Sequence, residues 1–163
     1  MLTHTEYIRK WVEKSRDETD NFDRFVYGFF AFNALYSEYY IGDSSERYAI
    51  KEFLNDNFVG HESEFKAIFE LPEYEYFCNR RPIKNMRYDP NSGQGYPDTK
   101  RETEAIKERI LKKSTKAMLM ILYQIRCNLF HGEKSFANES DQEVMKNASE
   151  LLLRYNEIFI KGM

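Results

Sequence analysis

An arginine, an asparagine and a histidine lie close together within residues 124–132, at Arg126, Asn128 and His131. Arginine is a permanent cation that can hold a phosphate through two parallel hydrogen bonds. Histidine transfers protons near neutral pH. The pair could therefore cleave a phosphodiester bond without a metal ion, with Asn128 orienting the imidazole or contacting the substrate. In the alternative interpretation, Arg126 and His131 only cap a helix or hold a dimer together.

Helical geometry constrains this group of residues. Five positions on an ideal helix turn a side chain by about 500°, which leaves Arg126 and His131 about 140° apart. The two side chains can share a face only if the helix ends between them, and Gly132 with the polar residues after it favours such an end. We therefore expect either a helix that breaks before His131 or a dimer partner that completes the site.

The rest of the chain is predicted to be helical, because apolar residues recur at three-and-four spacing and serines, threonines and aspartates precede them. The second helix is apolar nearly all round and should be central. The predicted helices are Leu2–Arg16, Asp20 or Asn21 to about Tyr40, Ser44 or Ser45 to near Gly60, Glu62–Leu71, Thr99–Phe130 (opened by a Thr99–Glu102 capping box) and Ser140–Phe159.

All four prolines lie between positions 72 and 97, together with Gly93 and Gly95. This pattern predicts an irregular insertion over residues 72–98, directly before the helix that carries Arg126. No segment shows the alternation of a β-strand. The prediction is one domain over residues 1–163, an all-α, antiparallel helical bundle with a long Pro/Gly-containing insertion.

Composition narrows the class of protein. Hydrophobic residues make up 42% of the 163 positions and aromatic residues 16%, which is enough for a compact core. No apolar run is long enough for a membrane span, and the charged N-terminus does not fit a signal peptide. The two cysteines and three histidines lack metal-ligand spacing, so we expect no metal, no cofactor and a cytoplasmic protein with free thiols.

The charge is unevenly distributed. Residues 80–116 hold eleven Lys/Arg and five Asp/Glu, a net of +6, whereas the whole chain carries −3. This segment is either a surface for a polyanion or a solvated helix face. If it binds RNA, the residues expected to contact the backbone are Arg109, Lys112, Lys113 and Lys116.

The stretch from Ile125 to Gly132 resembles the signature of the HEPN superfamily, which is an Arg, four to six residues, and then a His. An Asn often lies beside the Arg and a Gly after the His; here Asn128 lies two positions after Arg126, and Gly132 directly follows His131. Residues 31–36, Ala-Phe-Asn-Ala-Leu-Tyr, resemble part of the apolar helix that many HEPN proteins carry before the motif. The similarity extends over most of the chain, but only the Arg–His block is specific.

The resemblance implies a helical bundle that dimerises through the motif-bearing face, and a metal-independent endoribonuclease of stress response or phage defence. Arg126 would hold the scissile phosphate and His131 would be the general acid/base, while the ribose 2′-OH attacks and leaves a cyclic phosphate. Asn33 would contact substrate or satisfy a neighbouring helix. The implied partners are RNA, a second copy of the chain and an antitoxin or defence-system protein.

Two positions depart from the family pattern. Cys127 occupies the place after the Arg that is frequently polar in active members, and Glu133 stands where one toxin branch has a tyrosine that a partner modifies. That branch, with its nucleotidyltransferase partner, is therefore not predicted. The alternative function is a non-catalytic HEPN-like module that binds a nucleotide, RNA or another protein.

Overall fold

A computed structural model describes residues 1–130 and 139–163, and this part of the chain is all-α, as predicted. Within these ranges the only extended pairing is an isolated antiparallel bridge between Lys84 and Asp98. The described helices are α1 (His4–Asp17), α2 (Asn21–Tyr36), α3 (Glu46–Asn57), α4 (Glu62–Ile68), α5 (Pro72–Asn79), α6 (Lys100–Glu108), α7 (Leu111–Phe130) and α8 (Glu139–Ile160), with a 3₁₀ turn at Ser37–Tyr39.

Side-chain caps start the first three helices. Thr3 and Glu6 form a reciprocal capping box at α1, Asp20 accepts from the amide of Asp23 at α2, and Ser45 accepts from that of Tyr48 at α3. Each cap satisfies an amide that has no partner inside its helix. The predicted starts at Asp20 and Ser45 are confirmed.

The α2 helix is central, as its apolar sequence predicts, and packs against α1 and α8. Phe25, Phe29 and Phe32 are fully buried. The ring of Phe32 stacks on that of Phe159 from α8, with centroids 6.2 Å apart. Where α2 and α8 meet, the Asn156 amide donates to the Gly28 carbonyl at 2.9 Å. This packing fixes the helix that faces Arg126.

The end of α2 differs from the prediction. The helix stops at Tyr36 rather than near Tyr40 and tightens into the 3₁₀ turn. The Ser37 hydroxyl donates to the Ala34 carbonyl at 2.9 Å and competes for the acceptor that a continuing helix would need. Gly42 lies beyond this turn, with a φ of +55°.

The irregular insertion is shorter than predicted, because residues 72–79 form α5. Pro72 occupies the first turn of that helix, where a missing N–H costs nothing, so the proline starts a helix instead of preventing one. Tyr74 and Phe77 then bury their rings in the core. The stretch without helix is residues 80–99, which we call the 80–99 segment.

Residues 99–130 form two helices rather than one. Arg109 adopts the left-handed conformation, with a φ of +52°, between α6 and α7. The Ser114 hydroxyl stabilises the break by accepting from the Ile110 amide at 2.9 Å and donating to the Ala105 carbonyl at 2.7 Å. The predicted capping box is also absent, because the Thr99 hydroxyl accepts from the Ile83 amide instead.

Other helix boundaries shift by one to three residues; for example, α4 ends at Ile68 rather than Leu71. The α1 helix begins at His4 rather than Leu2, and α8 already includes Glu139, which places Ser140 inside the helix and not at its cap. None of the α-helices in the described ranges has the length and apolarity needed to cross a bilayer.

Candidate functional site

Arg126 lies in the last described turn of α7 and is held by an ion pair with α3. Its Nη1 atom is 3.2 Å from Oε2 of Glu46, and the two side chains are 24% and 22% exposed. The helix runs unbroken to Phe130, so the site sits on a rigid element. The Arg126 Nε atom is buried and has no hydrogen-bond partner among the described residues. The guanidinium is thus fixed in place with donor capacity left over.

Three aromatic rings surround the Arg126 guanidinium. Its central carbon is 4.7 Å from the ring centroid of Phe130, 5.6 Å from that of Phe29 and 6.0 Å from that of Tyr123. Arginine stacks favourably on aromatic faces, and these rings also exclude water from one side of it. The Phe130 side chain is itself 45% exposed. The cation therefore sits at an apolar rim.

Two tyrosines beside the ion pair remain protonated at neutral pH. Burial raises the pKa of Tyr36 well above its usual value, and the Glu46 carboxylate raises it further while Arg126 acts in the opposite direction. Burial also raises the pKa of Tyr123, with Cys127 and Glu46 adding to the effect. Both phenols can therefore donate hydrogen bonds in this cluster.

Asn33 is brought to the edge of this cluster. It lies on α2, half-buried, and its amide donates to the Tyr36 hydroxyl at 3.1 Å. Tyr36 is close enough to Arg126 and Glu46 for their charges to shift its pKa. Asn33 therefore contacts a residue that adjoins the ion pair. Contact between Asn33 and substrate stays a prediction.

His131 and Gly132 lie outside the described residues. Their predicted roles, as general acid/base and helix end, therefore stay predictions. The described end of α7 at Phe130 adjoins His131 in the sequence.

Asn128 is separated from Arg126, because two positions on a helix differ by about 200°. It is 2% exposed. Its amide donates to the Lys84 carbonyl at 2.8 Å, and its oxygen accepts from Gln124 at 3.0 Å and from the Met86 amide at 3.4 Å. The side chain joins α7 to the 80–99 segment and does not approach the Arg126–Glu46 pair. The catalytic role predicted for Asn128 stays a prediction, because His131 lies outside the described residues.

Asn128→Ala should lower the free energy of unfolding by about 1–3 kcal/mol, because buried partners in the 80–99 segment lose their hydrogen bonds. Denaturant unfolding measures the loss, and amide exchange should speed up at Met86. Asn147→Ala on α8, where the amide contacts only a local carbonyl, is the matched control. A stable Asn128→Ala protein with unchanged exchange at Met86 would contradict the structural role.

The four basic residues predicted to bind RNA have different surroundings. Arg109 pairs with Glu75, and the Lys113 ammonium is 2.6 Å from Glu108, so both charges are locally neutralised. Lys112 and Lys116 lie one turn apart on α7. Lys116 is ten positions before Arg126, about 15 Å along the axis. If Arg126 binds the scissile phosphate, these four residues are too distant to bind the same phosphate. They would contact neighbouring nucleotides.

Two site residues were missed in the sequence. Glu46 holds Arg126, and Arg47 lies over the Tyr123 ring with its central guanidinium carbon 5.0 Å from the centroid. Both follow Ser45 in the first turn of α3. A glutamate in the first turn of a helix is favourable because it faces the positive end of the helix dipole. The sequence pattern around Glu46 therefore did not indicate a partner as distant as Arg126.

Among the described residues, no three or more His, Cys, Asp or Glu side chains are grouped so as to hold a metal ion. Comparison with known proteins adds no assignment: no protein-family model, curated protein or solved structure matches this chain.

Proposed function

We propose that this protein is a metal-independent endoribonuclease of the HEPN type. The observation that carries the proposal is the placement of Arg126, a partly exposed guanidinium on a rigid helix with an unpaired donor and aromatic walls. A fixed cation of this kind stabilises the charge that develops on a phosphate in the transition state. His131, five positions on in the sequence, supplies the proton-transfer group.

The reaction uses the RNA's own ribose. The 2′-oxygen attacks phosphorus and forms the O2′–P bond, the P–O5′ bond breaks, and the products are a 2′,3′-cyclic phosphate and a 5′-hydroxyl. One proton leaves the 2′-oxygen and one reaches the departing O5′, and His131 serves these transfers. Arg126 holds the phosphate oxygens through its Nη atoms.

Glu46 has two consequences for this reaction. It orients Arg126, and its carboxylate competes with phosphate for the same guanidinium. RNA must therefore bind beside a negative charge, which weakens a single phosphate contact and makes neighbouring cations more important.

Exposed Phe130 at the rim supports the second part of the proposal, a homodimer through this face of α7, which would place two Arg126 side chains in one cleft. Stress response or phage defence, in the cytoplasm and with an antitoxin or defence-system partner, is the proposed setting.

The same ion pair favours a second candidate, a non-catalytic HEPN-like module. In that function, Arg126 and Glu46 neutralise each other permanently and only tie α7 to α3. RNA or a nucleotide would bind elsewhere on the surface and would remain uncleaved.

The test is cleavage of an end-labelled RNA in EDTA. We expect cleavage, cyclic-phosphate ends and binding that weakens steeply with salt. A matched strand with a single 2′-deoxyribose at the mapped cleavage position should survive at that position and be cut elsewhere. Cleavage at the deoxy position, or a requirement for a divalent cation, would contradict the mechanism. Binding of RNA without any cleavage would favour the second candidate.

A further inference from the structure

A cavity of about 260 Å³ opens between α3, α6, α7 and the 80–99 segment. We call it the Arg47 cavity; the residues that matter here are Arg47, Tyr96, Arg101, Glu102 and Gln124. Its volume lies just below the usual range of ligand sites, about 300–1,000 Å³, and suits a nucleobase with its sugar and phosphate at the mouth. A neighbouring cavity of about 290 Å³, which Lys113 and Lys116 line, shares Arg101 and Glu102 with it.

Arg47 brings a positive charge to this cavity, whose lining also includes the carboxylates of Asp98 and Glu102. Its Nη2 atom donates to the Gln124 oxygen at 3.3 Å, and within the described ranges no carboxylate lies at ion-pair distance. The adjacent Glu46 is committed to Arg126. The guanidinium is therefore oriented by neutral groups and keeps the charge and donors that a phosphate requires.

A cation–aromatic contact forms one wall of the cavity. The central guanidinium carbon of Arg101 lies 3.4 Å from the ring centroid of Tyr96, and both side chains are exposed. Aromatic rings and guanidinium planes are the surfaces on which unpaired nucleobases stack. The wall therefore suits a base better than a sugar or an aliphatic ligand.

Glu102 gives the cavity a preference among bases. Its side chain is 16% exposed, with Oε1 3.8 Å from Arg101. The other oxygen, Oε2, is buried and has no hydrogen-bond partner among the described residues. A carboxylate only accepts hydrogen bonds, and an unpaired one in a partly buried place favours a ligand with donors. Guanine presents two adjacent donors, N1–H and the N2 amine, and adenine presents only its N6 amine.

The cavity adjoins the candidate active site. The central guanidinium carbons of Arg47 and Arg126 lie 5.0 and 6.0 Å from the same Tyr123 ring centroid. Adjacent phosphates of one RNA strand can reach both. We propose that the Arg47 cavity binds one guanine nucleotide of the RNA next to the scissile phosphate. In this inference, which rests on the proposed function, the base stacks on Tyr96 and Arg101, Glu102 accepts from its edge, and Arg47 holds its phosphate.

Calorimetry with mononucleotides tests the cavity without requiring catalysis. GMP should bind about tenfold more tightly than AMP, with IMP in between because it lacks the N2 amine. Glu102→Gln should remove this preference, and Tyr96→Ala should weaken all three nucleotides. Arg47→Ala should make GMP bind no better than guanosine, while Lys10→Ala, an exposed residue on α1, should behave as wild type.

Equal binding of GMP and AMP, or an undiminished preference in Glu102→Gln, would overturn the proposal. Cleavage sites mapped on a mixed-sequence RNA separate it from the proposed function. Selective GMP binding without RNA cleavage means that the cavity stands and the ribonuclease proposal fails. Cleavage that shows no preference for guanine, with no selective GMP binding, means that the ribonuclease proposal stands and the cavity proposal fails.

Discussion

Arg126→Ala is expected to lower the rate of RNA cleavage by roughly 10²–10³-fold, the effect of removing a fixed donor from transition-state charge. Arg126→Lys should recover only part of the loss, because a lysine keeps the charge but cannot form two parallel hydrogen bonds. Rates are measured in EDTA at saturating RNA, so that weaker binding is separated from slower chemistry. Arg16→Ala on α1, which also removes an arginine from an ion pair, is the matched control.

A purely structural role for Arg126 makes a different prediction. Glu46 is only 22% exposed, so removing its partner should cost about 1–2 kcal/mol of unfolding free energy in any case. Glu46→Gln keeps the arginine and removes the competing carboxylate, and it should therefore tighten RNA binding. If Arg126 and Glu46 only stabilise the fold, both substitutions lower stability and neither changes cleavage per folded molecule.

The two variants together form a thermodynamic cycle. The double variant Arg126→Ala/Glu46→Gln leaves no unpaired charge, so its stability should recover part of the loss while its cleavage stays low. Recovery of both stability and cleavage would contradict a direct role of Arg126 in the reaction. This outcome would mean that Arg126 and Glu46 only support the fold and that cleavage depends on other residues.

Local patterns predicted the parts of the fold that local chemistry determines. The caps at Asp20 and Ser45 depend on amides three residues away, so the sequence contains both partners. The break at Arg109 could not be predicted in the same way. No glycine marks it, and the Ser114 hydroxyl stabilises it through a carbonyl of the preceding helix.

The candidate site shows the same division. Arg126 was identified from its neighbours in the chain, but its ion pair with Glu46 spans 80 positions. Asn128 was grouped with Arg126 because the two are close in sequence. Its partners Lys84 and Met86 lie more than 40 positions away, and they turn it into a tether for the 80–99 segment. Spacing along a chain predicts which residues share a helix, whereas the direction of each side chain depends on tertiary partners.

His131→Ala is expected to lower cleavage by about 10²–10⁴-fold while leaving RNA binding close to wild type, because the substitution removes proton transfer and not the phosphate contact. The wild-type rate should depend on pH near neutrality, where histidine transfers protons, and this dependence should disappear in the variant. Added imidazole should restore part of the rate, which a merely structural histidine would not show.

His61→Ala, at the start of α4 beside Glu64, removes a histidine that has no role in the proposal and should keep the full rate. Cleavage by His131→Ala at the wild-type rate and with the wild-type pH profile would mean that the Arg–His spacing is an accident of a helix end, since Arg126 alone can bind a phosphate but cannot move a proton at neutral pH.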